Sequence, residues 1–177
     1  NDLLQDAALN ARGKEMINEH FEFLRITQKI SLSDALNKDI LAQGELMSTK
    51  LFSLFLEHSK IEHALLPALD FMRLDQNEEP DFALIQEKLK TVLANHPTKK
   101  IFVTQGYICR NAKGEVDNLK RGGSDYTASL IAAATHASVC EIWTDIDGMH
   151  NNDPRVVEKT VAIEQLSFDE AAELAYF

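Results

Sequence analysis

The sequence predicts an α/β fold, drawn most simply as a three-layer αβα sandwich around a mostly parallel sheet. Three observations carry this. The first 60 residues space their apolar side chains at the helical period. Two later stretches, KIFVTQGYIC (100–109) and SVCEIWT (138–144), are β-branched and aromatic. An alanine- and leucine-rich helical stretch separates them. Strand, helix, strand in that order implies a parallel pair joined by a right-handed crossover, with helices covering the sheet. Ligands of such sheets gather at the carboxyl ends of strands, which points to the ends of 101–106 and 139–144.

The elements follow in order. Leu3, Leu4, Ala7, Ala8, Ala11, Met16, Ile17, Phe21, Leu24 and Ile30 recur at helical spacing, with Gly13 as a weak point. Ser31 or Ser33 caps a second helix, whose apolar positions run from Leu41 to Leu56. His63–Phe71 reads as a short strand with Pro67 near one end, and LDQNEEPD (74–81) as an acidic loop. Phe82, Leu84, Ile85, Leu89, Val92 and Leu93 form an amphipathic helix that closes near Asn95–Pro97. Asn111–Gly114 reads as a hairpin turn, and Ser124–Ala137 as a helix capped by Ser124. The tail reads as a helix capped by Ser167, with Glu170 at the capping-box position.

Composition bounds the function. At 177 residues, 45% hydrophobic and 26% charged, the chain is long enough to bury one core. No apolar run approaches the roughly 20 residues of a membrane helix, and the first residues do not form a signal peptide. A net charge of −10 argues against a general nucleic-acid binder. Cys109 and Cys140 belong to no CxxC pair and sit in apolar stretches. They read as buried free thiols in a reducing, cytoplasmic setting. The six histidines have no metal-ligand spacing, and Trp143 reads as core. The chain lacks an initiator methionine and reads as a piece of a longer protein.

The chemistry-bearing residues fall in three places. In KRGGSD (120–125), Gly122 and Gly123 allow close backbone approach or positive φ, and the following helix start presents unpaired N–H groups. Arg121 adds a fork that suits a carboxylate or phosphate, and Asp125 adds the opposite sign. Both signs together fit a zwitterion such as an amino acid. Local features leave a second reading open, a capped helix after a tight turn with Arg121 in solvent. In WTDIDGMHNNDPR (143–155), Asp145, Asp147 and Asp153 suit a ribose, an adenine or an indirectly held Mg²⁺, or equally plain turn chemistry. In the second helix, Gly44 costs about 1 kcal/mol relative to alanine, and Glu45 beside it faces either a ligand amine or solvent.

Taken together these residues resemble the aspartokinase family, the aspartate branch of the amino acid kinases. The likeness runs through Gly44-Glu45, FVTQG (102–106), RGGSDYTA (121–128), WTDIDG (143–148), DPRVV (153–157) and LSFDEAA (166–172). It is dense from 101 to 177 and looser from 31 to 100. The resemblance implies phosphoryl transfer from ATP, with Mg²⁺, to the side-chain carboxylate of L-aspartate, the first step of lysine, threonine and methionine biosynthesis. It implies that Arg121, with Gly122, Gly123 and Ser124, holds the α-carboxylate. Glu45 and Asp125 are then the catalytic acids that hold the amino group and organise the reacting centre. Thr144, Asp145, His150, Asp153 and Arg155 are then nucleotide-binding, with no protein-only metal site. Because the acceptor carboxylate is already ionised, positioning and charge neutralisation would suffice.

The pattern also has departures. The family's opening strand with its Lys-Phe-Gly-Gly-Thr-Ser stretch, a second nucleotide-site lysine and the regulatory domains are absent, so the chain reads as one catalytic domain truncated at both ends. Residues 1–60 are its mainly helical part, and 61–177 its nucleotide- and substrate-binding part. Such a piece is expected to be inactive alone, and an uncovered sheet edge predicts self-association into a homo-oligomer. Lys120 stands where the family often has glycine, and His150 where a tyrosine often packs near the adenine. The long lead-in at 1–30 resembles aspartokinases fused to homoserine dehydrogenase. Two other functions stay open, a related kinase acting on glutamate or a carbamate and a catalytically silent ligand-binding domain.

Overall fold

A computed structural model describes residues 6–31, 33–145 and 147–176, and shows an α/β fold with a small sheet. The chain divides into two compact units, Asn1–Cys140 and Glu141–Phe177.

The first unit opens with two long helices, α1 (Ala7–Thr27) and α2 (Asp34–His58). Asp6 caps α1 by accepting from the N–H groups of Ala8 and Leu9, and Ser33 caps α2 by accepting from Leu36. Leu9, Gly13, His20 and Thr27 form the buried stripe of α1. Gly13 therefore does not interrupt the helix but lies on its buried face. His20 is satisfied within that face. Lys50 Nζ lies 3.1 Å from His20 Nε2 and has only protons to give, so Nε2 accepts and the opposite Nδ1–H donates to Gln43 Oε1 at 2.6 Å.

The sheet is smaller than the sequence predicts. Strand β1 (Ala64–Leu66) runs parallel to β2 (Phe102–Thr104), with Ala64 opposite Phe102 and Leu66 opposite Thr104. The turn of helix α3 (Ala68–Phe71) and the amphipathic α4 (Phe82–Ala94) lie between them in sequence. Pro67 thus ends the strand expected over 63–71 and begins a helical turn. A hairpin follows, β3 (Ile108–Arg110) antiparallel to β4 (Val116–Asn118). Asn111 Oδ1 closes its turn by accepting from Lys113 and Glu115. Helix α5 (Gly123–Thr135) completes the unit. Phe71, Met72, Ile85, Leu89, Ile108, Cys109 and Leu130 belong to one buried core. Among the described strands β2 is paired on one side only. A groove of about 510 Å³ lies beside it, with Phe52 and Phe102 exposed there.

Two further predicted strands differ from the structure. The stretch 100–109 is not one strand but two, broken at Gln105–Tyr107. Gln105 turns inward, the Gly106 N–H goes to a side chain on α2, and Tyr107 adopts φ +67°, outside strand geometry. The stretch 138–144 forms no strand at all. No described strand pairs with it, so its β-branched residues have no ladder to join. Val139 and Trp143 are 67% and 87% exposed, so Trp143 is not core, and Cys140 is exposed whereas Cys109 is buried.

In the second unit an antiparallel bridge pairs His150 with Ala162. Helix α6 (Phe168–Tyr176) begins with the expected capping box. Glu170 accepts from the N–H of Ser167, and Ser167 Oγ accepts from the N–H of Glu170.

Candidate functional site

The two glycines before α5 do different work. Gly122 is the helix cap, in the left-handed region at φ +73°, and Ser124 is not the cap that its residue type suggests. Gly123 is a close-approach position. A Cβ there would lie 2.9 Å from the Tyr107 ring and 3.1 Å from Leu119 Cβ. Thr127, buried one turn later, donates its hydroxyl to Gly123 O at 2.8 Å and accepts the N–H of Tyr107 at 3.1 Å. The Leu119 N–H donates to Tyr107 O at 2.8 Å. Ring, hydroxyl and carbonyl contacts thus hold Tyr107 in a conformation that aromatic side chains seldom adopt.

The result is an open cleft of about 380 Å³ over the start of α5. Tyr107, Lys120, Gly122, Gly123 and Ser124 line it, and Arg121 and Asp125 bring opposite charges to it. Among the described residues neither the Arg121 guanidinium nor the Asp125 carboxylate has a hydrogen-bond or ion-pair partner. Lys120 is engaged, with its ammonium 3.2 Å from Glu78 Oε2.

Glu45 is not part of the cleft lining but is tied to it. Its Oε1 accepts the N–H of Gly106 at 3.0 Å, and Gly106 packs directly against Ser124. Gly106 therefore stands between Glu45 on α2 and the first turn of α5. The six residues expected to hold substrate, Glu45 and Arg121 to Asp125, fall into one neighbourhood of the first unit.

The expected nucleotide residues lie in the second unit and are paired with their own neighbours. Arg155 donates twice to Asp153, from Nε at 3.1 Å and from Nη2 at 2.9 Å. That contact holds the Asp153 carboxyl below its ordinary range and raises the Arg155 guanidinium. Thr144 donates to Asp145 at 3.2 Å. His150 has both ring nitrogens engaged, Nε2 with Asp147 at 2.6 Å and Nδ1 with Thr160 at 3.1 Å, and its side chain is largely covered. The contact with His150 lowers the Asp147 carboxyl. No group of three metal-ligating side chains occurs among the described residues.

Sequence reasoning gave no role to Tyr107 and Thr127, which shape the cleft, or to Gln105, whose neighbour Gly106 ties Glu45 to it. Gln105 left a signal, a lone amide inside an apolar run, whereas nothing in the string marks Tyr107 as left-handed.

The amino acid kinase family matches residues 2–177. The lysine-sensitive aspartokinase 3 of Escherichia coli is 37% identical over 166 residues, which is 92% of this chain and 37% of that protein. The bifunctional aspartokinase/homoserine dehydrogenase 2 of the same organism is 37% identical over 146 residues, 81% of this chain and 18% of that one. Among solved structures, E. coli aspartokinase III in complex with aspartate and ADP superposes with a TM-score of 0.86 at 34% identity, over 98% of this chain and 40% of that one. The same enzyme with lysine and aspartate gives 0.77 at 34% identity, over 94% and 38%. The chain thus spans well under half of the relatives it matches.

Proposed function

The chain belongs to the amino acid kinase family, and from that premise we propose that it is the acceptor-binding part of an aspartate kinase. The observation that carries this reading is the pair of unpartnered opposite charges, Arg121 and Asp125, at a glycine-lined cleft over a helix start. A zwitterion satisfies both at once. The α-carboxylate takes the Arg121 fork and the N–H groups of the first turn, and the ammonium takes Asp125 and the unpartnered Oε2 of Glu45. The aspartokinase relatives and the structural neighbour that holds aspartate and ADP support the same assignment.

In this reading an oxygen of the aspartate side-chain carboxylate attacks the γ-phosphorus of ATP. The bond to the ADP oxygen breaks and an acyl phosphate forms. The attacking oxygen carries no proton at neutral pH, so no base is required. Arg121, Asp125 and Glu45 serve by holding the acceptor in register. Thr144, Asp145, His150, Asp153 and Arg155 are proposed for the nucleotide. Mg²⁺ would accompany the nucleotide phosphates, its common mode. The product would feed lysine, threonine and methionine synthesis.

The test is an acyl-phosphate assay on the protein that carries this chain at its full length, with ATP, Mg²⁺ and either L-aspartate or L-glutamate. Turnover of aspartate, lost in Arg121→Ala, is expected. Phosphorylation of glutamate alone would overturn the proposal.

A further inference from the structure

We propose that Gln105 and Thr49 are positioning residues that aim the Glu45 carboxylate at the bound ammonium group; this rests on the reading of Glu45 given above. Gln105 is 1% exposed, so both ends of its amide need partners inside the protein. Its Oε1 accepts the N–H of Ala68 at 2.8 Å, at the start of α3, where Pro67 supplies no side-chain cap. That contact fixes which end is oxygen. Its Nε2 must then donate, and it does so to Thr49 Oγ1 at 2.8 Å. The Thr49 hydroxyl spends its own proton on the backbone carbonyl of Glu45 at 2.9 Å. The residue after Gln105 closes the circuit, because the Gly106 N–H donates to Glu45 Oε1 at 3.0 Å.

These bonds form a ring that starts and ends on residue 45. It runs from the Glu45 carbonyl to the Thr49 hydroxyl, the Gln105 amide, the Gly106 N–H and the Glu45 carboxylate. One carboxylate oxygen is thereby held in place, and Oε2 has no partner among the described residues. A role confined to capping α3 accounts for Oε1 of Gln105 but not for a circuit that returns to Glu45. The ring also meets the cleft. A Cβ on Gly106 would lie 2.9 Å from Ser124 Cβ, so a shift at 105–106 is passed to the first turn of α5.

The test uses the protein that carries this chain at its full length, with Thr49→Val and Gln105→Met as disrupting variants and Thr49→Ser as the conservative one. Binding of L-aspartate is compared with binding of succinate, which has both carboxylates but no ammonium. Both disrupting variants are expected to lose about tenfold of the preference for aspartate while succinate binds as before, and Thr49→Ser is expected to restore it. Equal losses for both ligands, or an unchanged preference, would overturn the proposal. A second readout needs no ligand. In hydrogen exchange followed by NMR, the Gly106 amide proton should be protected by its bond to Glu45 Oε1 in the wild type and in Thr49→Ser, and lose that protection in Thr49→Val. If the wild type binds neither ligand but the amide protection behaves this way, the functional reading fails and the positioning role stands. If the amide protection survives in Thr49→Val, the positioning role fails whatever binds.

Discussion

Gly106 and Ser124 are in contact so close that the glycine has no room for a side chain. A Cβ at 106 would lie 2.9 Å from Ser124 Cβ and Oγ and 3.0 Å from its Cα. Part of that obstruction is backbone, which does not swing aside. Gly106→Ala is therefore expected to cost about 1–3 kcal/mol by overpacking and to push the first turn of α5 away from α2. Urea denaturation measures the cost. Aspartate affinity should fall with it, because Glu45 and the Arg121 loop meet through this contact.

Gly44 is the opposite case. It sits mid-helix in α2, and a Cβ there would meet nothing within 4 Å. Gly44→Ala should stabilise the chain by about 0.5–1 kcal/mol, because alanine gives up less backbone freedom in a helix. A stabilised variant that no longer bound aspartate would show that the bare backbone beside Glu45 faces the ligand.

Lys38 bridges two carboxylates of unequal worth. Its ammonium is 2.8 Å from Asp117 on β4, which is nearly buried, and 3.4 Å from Asp34, which is 86% exposed. Lys38→Met should cost about 1–3 kcal/mol, since it leaves a buried carboxylate without its cation. Asp34→Asn should cost no more than about 0.5 kcal/mol. The hydrogen bond to Asp117 raises the Lys38 ammonium above its ordinary value. The stability it lends is therefore fully present below the pKa of an unfolded lysine and is lost as pH rises through the raised folded value. Alkaline melts of wild type and Lys38→Met should converge there.

The two thiols should react very differently. Cys109 is fully buried, and desolvation pushes its thiol up to about 12, whereas Cys140 is exposed. A neutral-pH alkylating reagent should label Cys140 alone in the folded chain and both cysteines in denaturant. Mass spectrometry reads the sites, and rapid native labelling of Cys109 would contradict the core described for the first unit.

How much of this was legible in the string depended on whether the cue was local. The helices, the Asn111–Gly114 turn and the Ser167–Glu170 box rest on contacts within a few residues, and the structure has them where the spacing put them. Arg121 and Asp125 were legible because a paired glycine before a helix start is a local signal. The break at 105–107 was not, since its cause lies in partners 56 and 61 residues away, Thr49 and Glu45. Ser124 was misread as a cap for a similar reason. Its surroundings are set by Gly106, which the local sequence cannot reveal. The strand expected over 138–144 failed because strand-forming residues need a neighbouring strand, and composition does not supply one.

Tyr107 carries a last consequence. Its left-handed backbone is tolerated only because the ring, Thr127 and Leu119 hold it from three sides, and an aromatic residue there works against its own main chain. Asparagine would sit more comfortably at the same φ and would also widen the mouth beside Arg121. Changing the bore of this recess and relieving the chain that borders it point in the same direction. The relief offsets only part of what a smaller side chain gives up, because the Tyr107 ring also packs against the core of the first unit, so a wider recess here comes with a looser one.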